Sequence, residues 1–86
     1  MASYTIEWKR SALKELKGLP KDAVRRILVA VEALADNPLP VGARKLAGTQ
    51  HTYRIHEGVH RIIYTVSEPA VTIEVLRVAH RKDAYD

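Results

Sequence analysis

Hydrophobic and polar positions change their period several times along this chain. From Tyr4 to Trp8, aromatic and β-branched positions alternate with polar ones, a period of two that predicts a short strand. From about Lys9 the period lengthens. Ala12, Leu13 and Leu16 fall at i, i+1 and i+4 with Lys14, Glu15 and Lys17 among them, as on an amphipathic helix. Gly18 stands where a left-handed residue would stop that helix. Pro20 suits the first turn of a second helix, where its missing N–H costs nothing. Val24, Ile27, Leu28, Val31, Leu34 and Ala35 then form an apolar stripe, with Lys21, Asp22, Arg25, Arg26 and Glu32 on the other side. Asn37-Pro38 ends it, because the residue before proline is pushed out of the α region.

Leu39 to Gln50 carries Pro40, Gly42, Gly48 and the basic pair Arg44-Lys45, a composition that predicts a loop, with Leu46 available to order it. Beyond it the pattern is that of strands. Thr52–His56 and Val59–Ser67 flank Glu57-Gly58, read as a two-residue hairpin turn, and Glu68-Pro69 is a second turn before a strand over Val71–Ala79. The tail, His80 to Asp86, is polar. The order β-α-α-β-β-β predicts an α+β fold: a two-helix hairpin packed on a small, mainly antiparallel sheet, in a single domain over 1–86.

Composition narrows the function. A chain of 86 residues, 47% hydrophobic and 28% charged, is an ordinary globular domain. Its core is thin, so a stable partner would help it. The absence of cysteine excludes a disulfide framework, a zinc-thiolate site and thiol catalysis. No apolar run approaches the ~20 residues that span a bilayer, and Met1 to Arg10 has no signal-peptide character. A cytoplasmic protein with no membrane partner is expected. The net charge of +4 suits a polyanion.

The titratable and stacking side chains gather after residue 44: all four histidines (His51, His56, His60, His80) and the tyrosines Tyr53, Tyr64 and Tyr85. With Glu57-Gly58 as the turn, His56 pairs with Val59, Ile55 with His60 and Arg54 with Arg61. Opposed residues share a face. Arg54, His56 and Arg61 then line one face, and Tyr53, Ile55, His60, Ile62 and Tyr64 line the apolar side that covers the helices. Two opposed guanidiniums either sit solvated and screened, or hold a phosphate between them through paired N–H bonds. A second cluster is His80-Arg81 with Tyr85 four residues on. It offers a proton carrier, a cation for a phosphorane and a ring to stack on a base. The plainer alternative is a polar tail. The histidines lack metal-ligand spacing, the carboxylates are scattered, and no glycine-rich phosphate loop or nucleophile elbow occurs, so neither metal nor cofactor is expected.

Three segments carry a family resemblance: Ser11-Ala12-Leu13-Lys14-Glu15-Leu16-Lys17-Gly18-Leu19-Pro20, then Tyr53-Arg54-Ile55-His56-Glu57-Gly58-Val59-His60-Arg61-Ile62-Ile63-Tyr64, and Val78-Ala79-His80-Arg81-Lys82-Asp83-Ala84-Tyr85. Over essentially its whole length the chain resembles the RelE/ParE superfamily of toxins from toxin–antitoxin pairs, and the His80-Arg81…Tyr85 ending is similar to the RelE branch. That resemblance implies a RelE-like fold and a metal-free endoribonuclease that cuts messenger RNA in the ribosomal A site. The ribose 2′-OH would attack phosphorus, leaving a 2′,3′-cyclic phosphate and a 5′-hydroxyl. It implies a RelB-like antitoxin, the ribosome and mRNA as partners. By motif, Arg61 would hold the scissile phosphate. Arg81 would do the same and act near the leaving oxygen, and Tyr85 would stack on or orient the nucleotide. Arg44, Lys45, Arg54 and Lys82 would bind RNA. Arg54 and His56 stand where some relatives carry lysines. Arginine stays protonated, so the general base would be His56 or His80. Two rival readings use the same fold: a ParE-like poison of DNA gyrase without nuclease activity, and a catalytically silent RNA- or antitoxin-binding domain.

Overall fold

The computed structural model describes residues 3–80. Strand β1 (Thr5–Trp8) leads into helices α1 (Arg10–Lys17) and α2 (Lys21–Ala33), followed by β2 (Arg44–Lys45), β3 (Thr52–Glu57), β4 (His60–Ser67) and β5 (Thr72–His80). The five strands lie in the order β1-β5-β4-β3-β2. β1 runs parallel to β5, and the other neighbours are antiparallel. Both helices cover one face of this sheet. Ala12 and Leu16 from α1, with Ala23, Ile27, Val31 and Leu34 from that end of the chain, are buried with Ile55, Ile62, Tyr64, Val66, Ile73, Val75 and Val78 from the strands. The α+β architecture is the one the sequence predicts. Leu13 and Leu28, expected inside, are instead partly exposed, one position off the rows that face the sheet.

Several local readings change. Gly18 has φ −82° and ψ 0°, in the right-handed region. α1 stops without a left-handed residue: Gly18 and Leu19 donate to Glu15 and Leu16 carbonyls in a tight turn, and Pro20 cannot extend it. Pro20 sits at the N-cap of α2, one place earlier than expected. α2 closes at Ala33, with Leu34, Ala35 and Asp36 donating to carbonyls three residues back in a tightened final turn. Arg44-Lys45, expected within a loop, forms the edge strand β2; two residues are too few to show a period. No helix among the described residues is long and apolar enough to cross a membrane.

The hairpin register decides which side chains meet. His56 lies opposite Arg61, Glu57 opposite His60, and Arg54 opposite Ile63. The expected pairing of Arg54 with Arg61 is therefore incorrect. The turn residues are Gly58 and Val59, because φ is positive only at Gly58 (61°). A two-residue loop of this kind needs a positive φ at its first central position, which glycine adopts freely and Glu57 does not. Moving the turn by one residue changes each partner by two, so the faces survive: Arg54, His56 and Arg61 still share one, and Ile55, His60, Ile62 and Tyr64 the other.

A second irregularity lies between β4 and β5. Ile63 pairs with Arg77 but Tyr64 pairs with Val75, leaving Leu76 as an extra residue in β5. Val75 and Val78 are an odd number of residues apart and would point to opposite faces of a regular strand. The bulge resets the phase, and both are buried under the helices.

Candidate functional site

The face turned away from the helices carries the basic side chains. Across β3, β4 and β5 it presents His56, Arg61 and Ala79 in one row and Arg54, Ile63 and Arg77 in the next, with Arg44 of β2 opposite Arg54. The opposition of two arginines foreseen between Arg54 and Arg61 thus occurs between Arg44 and Arg54. Ile63 and Ala79 are buried between them and give the face an apolar floor. Arg54 is half-buried, whereas Arg44 is exposed and donates to the Ala43 carbonyl at 3.2 Å.

The turn at Gly58 brings Arg61 and His56 into direct contact. Arg61 Nε donates to His56 Nε2 at 3.2 Å. Arginine has no acceptor and does not deprotonate, so this bond requires an unprotonated Nε2, with any ring N–H on Nδ1. A fixed cation and a basic nitrogen are thereby held together at the turn end of the hairpin.

His80 is not part of this pair. It lies opposite His60 on the helix-facing side, with ring centroids 6.0 Å apart and the rings nearly edge to face. Of the two base candidates, only His56 stands beside Arg61. Glu57 continues the His60 row onto β3, its carboxylate 3.8 Å from Arg26 Nε of α2. Lys45 pairs with Tyr53 and so occupies the opposite face from Arg44. Arg81, Lys82 and Tyr85 lie outside the described residues. No three His, Asp or Glu side chains among the described residues converge as metal ligands.

Two further side chains hold the sheet in place, Arg77 on the basic face and Tyr64 on the helix-covered one. Arg77 lies on the basic face, and its Nη2 donates to Glu15 Oε2 of α1 at 3.1 Å. The other carboxylate oxygen accepts the Val78 backbone N–H at 2.8 Å. Tyr64, at the sheet centre, donates its hydroxyl to the Pro38 carbonyl at 2.7 Å. Burial, aided by the Tyr53 phenol, pushes its pKa up to about 12. The two rings are 6.0 Å apart. A cleft of about 670 Å³ lies among Tyr4, Pro38, Leu39, His51, Tyr53 and the Ser67–Pro69 turn. Among the described residues no lysine or arginine lines it.

With the geometry in place, likeness to other proteins sharpens its meaning. A family model described as the ParE toxin of type II toxin–antitoxin systems matches residues 6–85. The chain is 36% identical over 90 residues to Toxin RelG of Mycobacterium tuberculosis, covering 95% of each. It is 28% identical over 85 residues to the putative toxin RelE1 of Methanocaldococcus jannaschii, covering 95% of this chain and 94% of that one. The archaeal RelE–RelB complex of Pyrococcus horikoshii contains a chain that superposes with a TM-score of 0.83 at 31% identity, over 95% of this chain and 99% of that one. The shared fold of two helices on a mixed five-stranded sheet, the match over nearly the full length and the related toxins agree: this chain belongs to the RelE/ParE superfamily of toxins of type II toxin–antitoxin systems.

Proposed function

We propose that the protein is a ribosome-dependent endoribonuclease that cuts messenger RNA and halts translation in the cytoplasm. The Arg61–His56 contact carries this reading. In the resting site the lone pair of His56 Nε2 is occupied by the Arg61 N–H. A phosphodiester arriving on the basic face competes for the guanidinium, which binds phosphate oxygens through paired N–H bonds. Arg61 turns to the phosphate, and Nε2 is released to accept the 2′-OH proton as the 2′-oxygen attacks phosphorus. The P–O5′ bond breaks, and an acid returns a proton to the departing oxygen, leaving a 2′,3′-cyclic phosphate and a 5′-hydroxyl. Arg61 stabilises the added negative charge of the phosphorane. By resemblance, Arg81 acts at the leaving oxygen and Tyr85 orients the nucleotide, with Arg44, Arg54 and Lys82 on neighbouring phosphates. Lys45, on the other face, is assigned to docking on ribosomal RNA.

A RelB-like antitoxin is the proposed partner, as in the Pyrococcus complex. It would cover the arginines with acidic side chains. The deciding experiment incubates a defined message with purified protein, with and without programmed ribosomes, and maps the new ends. Cuts that need the ribosome, end in a cyclic phosphate and vanish with Arg81→Ala are expected. The second reading, a gyrase poison, draws on the ParE description of the matching family model. Uncut messages together with blocked supercoiling would establish it in place of the first.

A further inference from the structure

β1 pairs with β5 only from Thr72 to Val75. The last bond of this ladder runs from Lys9 N to the Val75 carbonyl, and the chain then turns into α1. From the Leu76 bulge onward, β5 has no strand on that side among the described residues. Val78 is buried there, 3% exposed, and an unpaired N–H at such a place carries a full desolvation cost. Glu15 fills the gap. One carboxylate oxygen accepts the Val78 N–H at 2.8 Å, as a neighbouring strand's carbonyl would, and the other accepts from Arg77 Nη2 at 3.1 Å.

The strand held in this way matters to the basic face. Ala79 and Arg77 lie directly opposite Arg61 and Ile63, and the chain runs from His80 into Arg81. A bulged strand with a bare edge twists and frays more readily than a paired one. We propose that Glu15 is a positioning residue: its carboxylate stands in for a missing strand, clamping the bulged end of β5 at Val78 and fixing the approach of this strand to Arg61. The consequence for catalysis rests on the nuclease reading above. The clamp itself does not.

Reach and charge can be separated. Glu15→Gln keeps an acceptor oxygen at the same distance but removes the charge. Glu15→Asp keeps the charge but draws the oxygens back by about one C–C bond, ~1.5 Å. Both substitutions sit on a partly exposed helix position and leave the core intact. Amide exchange at Val78 in the free protein reads the clamp directly. Ribosome-dependent cleavage, resolved into kcat and KM, reads its effect. Glu15→Asp is expected to speed Val78 exchange about tenfold or more and to lower kcat about 10–100-fold, the scale of a 1 Å misplacement, with KM within about threefold. Glu15→Gln is expected to stay within about threefold of the wild type in all three. Wild-type exchange and kcat in Glu15→Asp overturn the proposal, as does a Glu15→Gln variant as impaired as Glu15→Asp, which would make the ion pair of Glu15 with Arg77, and not the Val78 bond, the active element. If the unaltered protein cuts nothing, the nuclease reading fails, and Val78 exchange in the two variants alone upholds or overturns the clamp.

Discussion

Tyr64→Phe removes a single oxygen from the centre of the sheet, and its effect should reverse sign with pH. The hydroxyl is fully buried and donates to the Pro38 carbonyl at 2.7 Å, tying the segment after α2 to β4. Near neutral pH its removal forfeits that bond and leaves the carbonyl without its donor, a loss of about 1–2 kcal/mol. For a domain of this size that corresponds to a fall in Tm of about 4–8 °C per kcal/mol. At high pH the balance changes. Burial raises the phenol from its ordinary 10.0 to about 12 in the folded protein, so folding favours the protonated form. The resulting stabilisation is complete below pH 10 and is lost as pH rises toward 12. By linkage the wild type gives up about 1.4 kcal/mol by pH 11, and approaches a loss of about 3 kcal/mol above pH 12. The Phe variant has no such group. Other titrating residues are common to both proteins and cancel in the difference. Urea unfolding of the pair from pH 8 to pH 11.5 should therefore show the stability gap shrinking above pH 10 and closing or inverting near pH 11. A gap constant across this range would refute the reasoning, because it would mean that the folded phenol ionises as readily as the unfolded one.

Arg61→Ala should separate chemistry from folding. It removes polar contacts at a partly exposed position and no core packing, so a stability loss of no more than about 1 kcal/mol is expected, alongside a drop in cleavage of about 10²-fold or more. Ile62→Ala, one residue on and fully buried, should instead cost about 2–5 kcal/mol. Comparable melting losses for the two variants would contradict the placement of Arg61. Gly58→Ala tests the hairpin turn. A Cβ there meets nothing within 4 Å, so the expected loss of about 1–2 kcal/mol is conformational alone. D-alanine at 58, made by chemical synthesis, should recover it, and equal melting temperatures for the two enantiomers would refute the turn assignment.

The elements that bury a stripe were legible in the sequence, and those fixed by backbone detail were not. Ala12 and Leu16, Ile27 and Val31, and Ile55, Ile62 and Tyr64 went where a period of 3.6 or 2 sends them. The hairpin turn was read one residue early because Glu57-Gly58 and Gly58-Val59 both contain the glycine. Asking which central position needs a positive φ favours the second. The Leu76 bulge left a sequence signature: Ile73 and Val75 keep a period of two, and Val78 breaks it. Faces proved more robust than partners. Arg54, His56 and Arg61 were correctly grouped, yet the contact of Arg61 with His56, on which the proposed reaction rests, depends on the two-residue change in pairing. His80 joined the base candidates on chain proximity to Arg81, and only the β4–β5 register separates it from His56. Glu15 looked like one charge on a helix surface. Nothing in local spacing announces a carboxylate that caps a strand 63 residues away.

The parallel pairing of Thr5 with Thr72 bears on the moment at which the protein becomes harmful. β5 occupies the second place in the sheet but follows every other element among the described residues. While the chain is being synthesised, β1 lacks its neighbour, β4 has a bare edge, and the apolar faces of both helices have little sheet to rest on. Pairings of such long separation also close slowly. The basic face therefore assembles late and all at once, after β5 is free to enter between β1 and β4. For a toxin this amounts to a built-in delay. A newly made chain passes through an interval with exposed edges and apolar surface, before Arg54, Arg61 and Arg77 are aligned on one face.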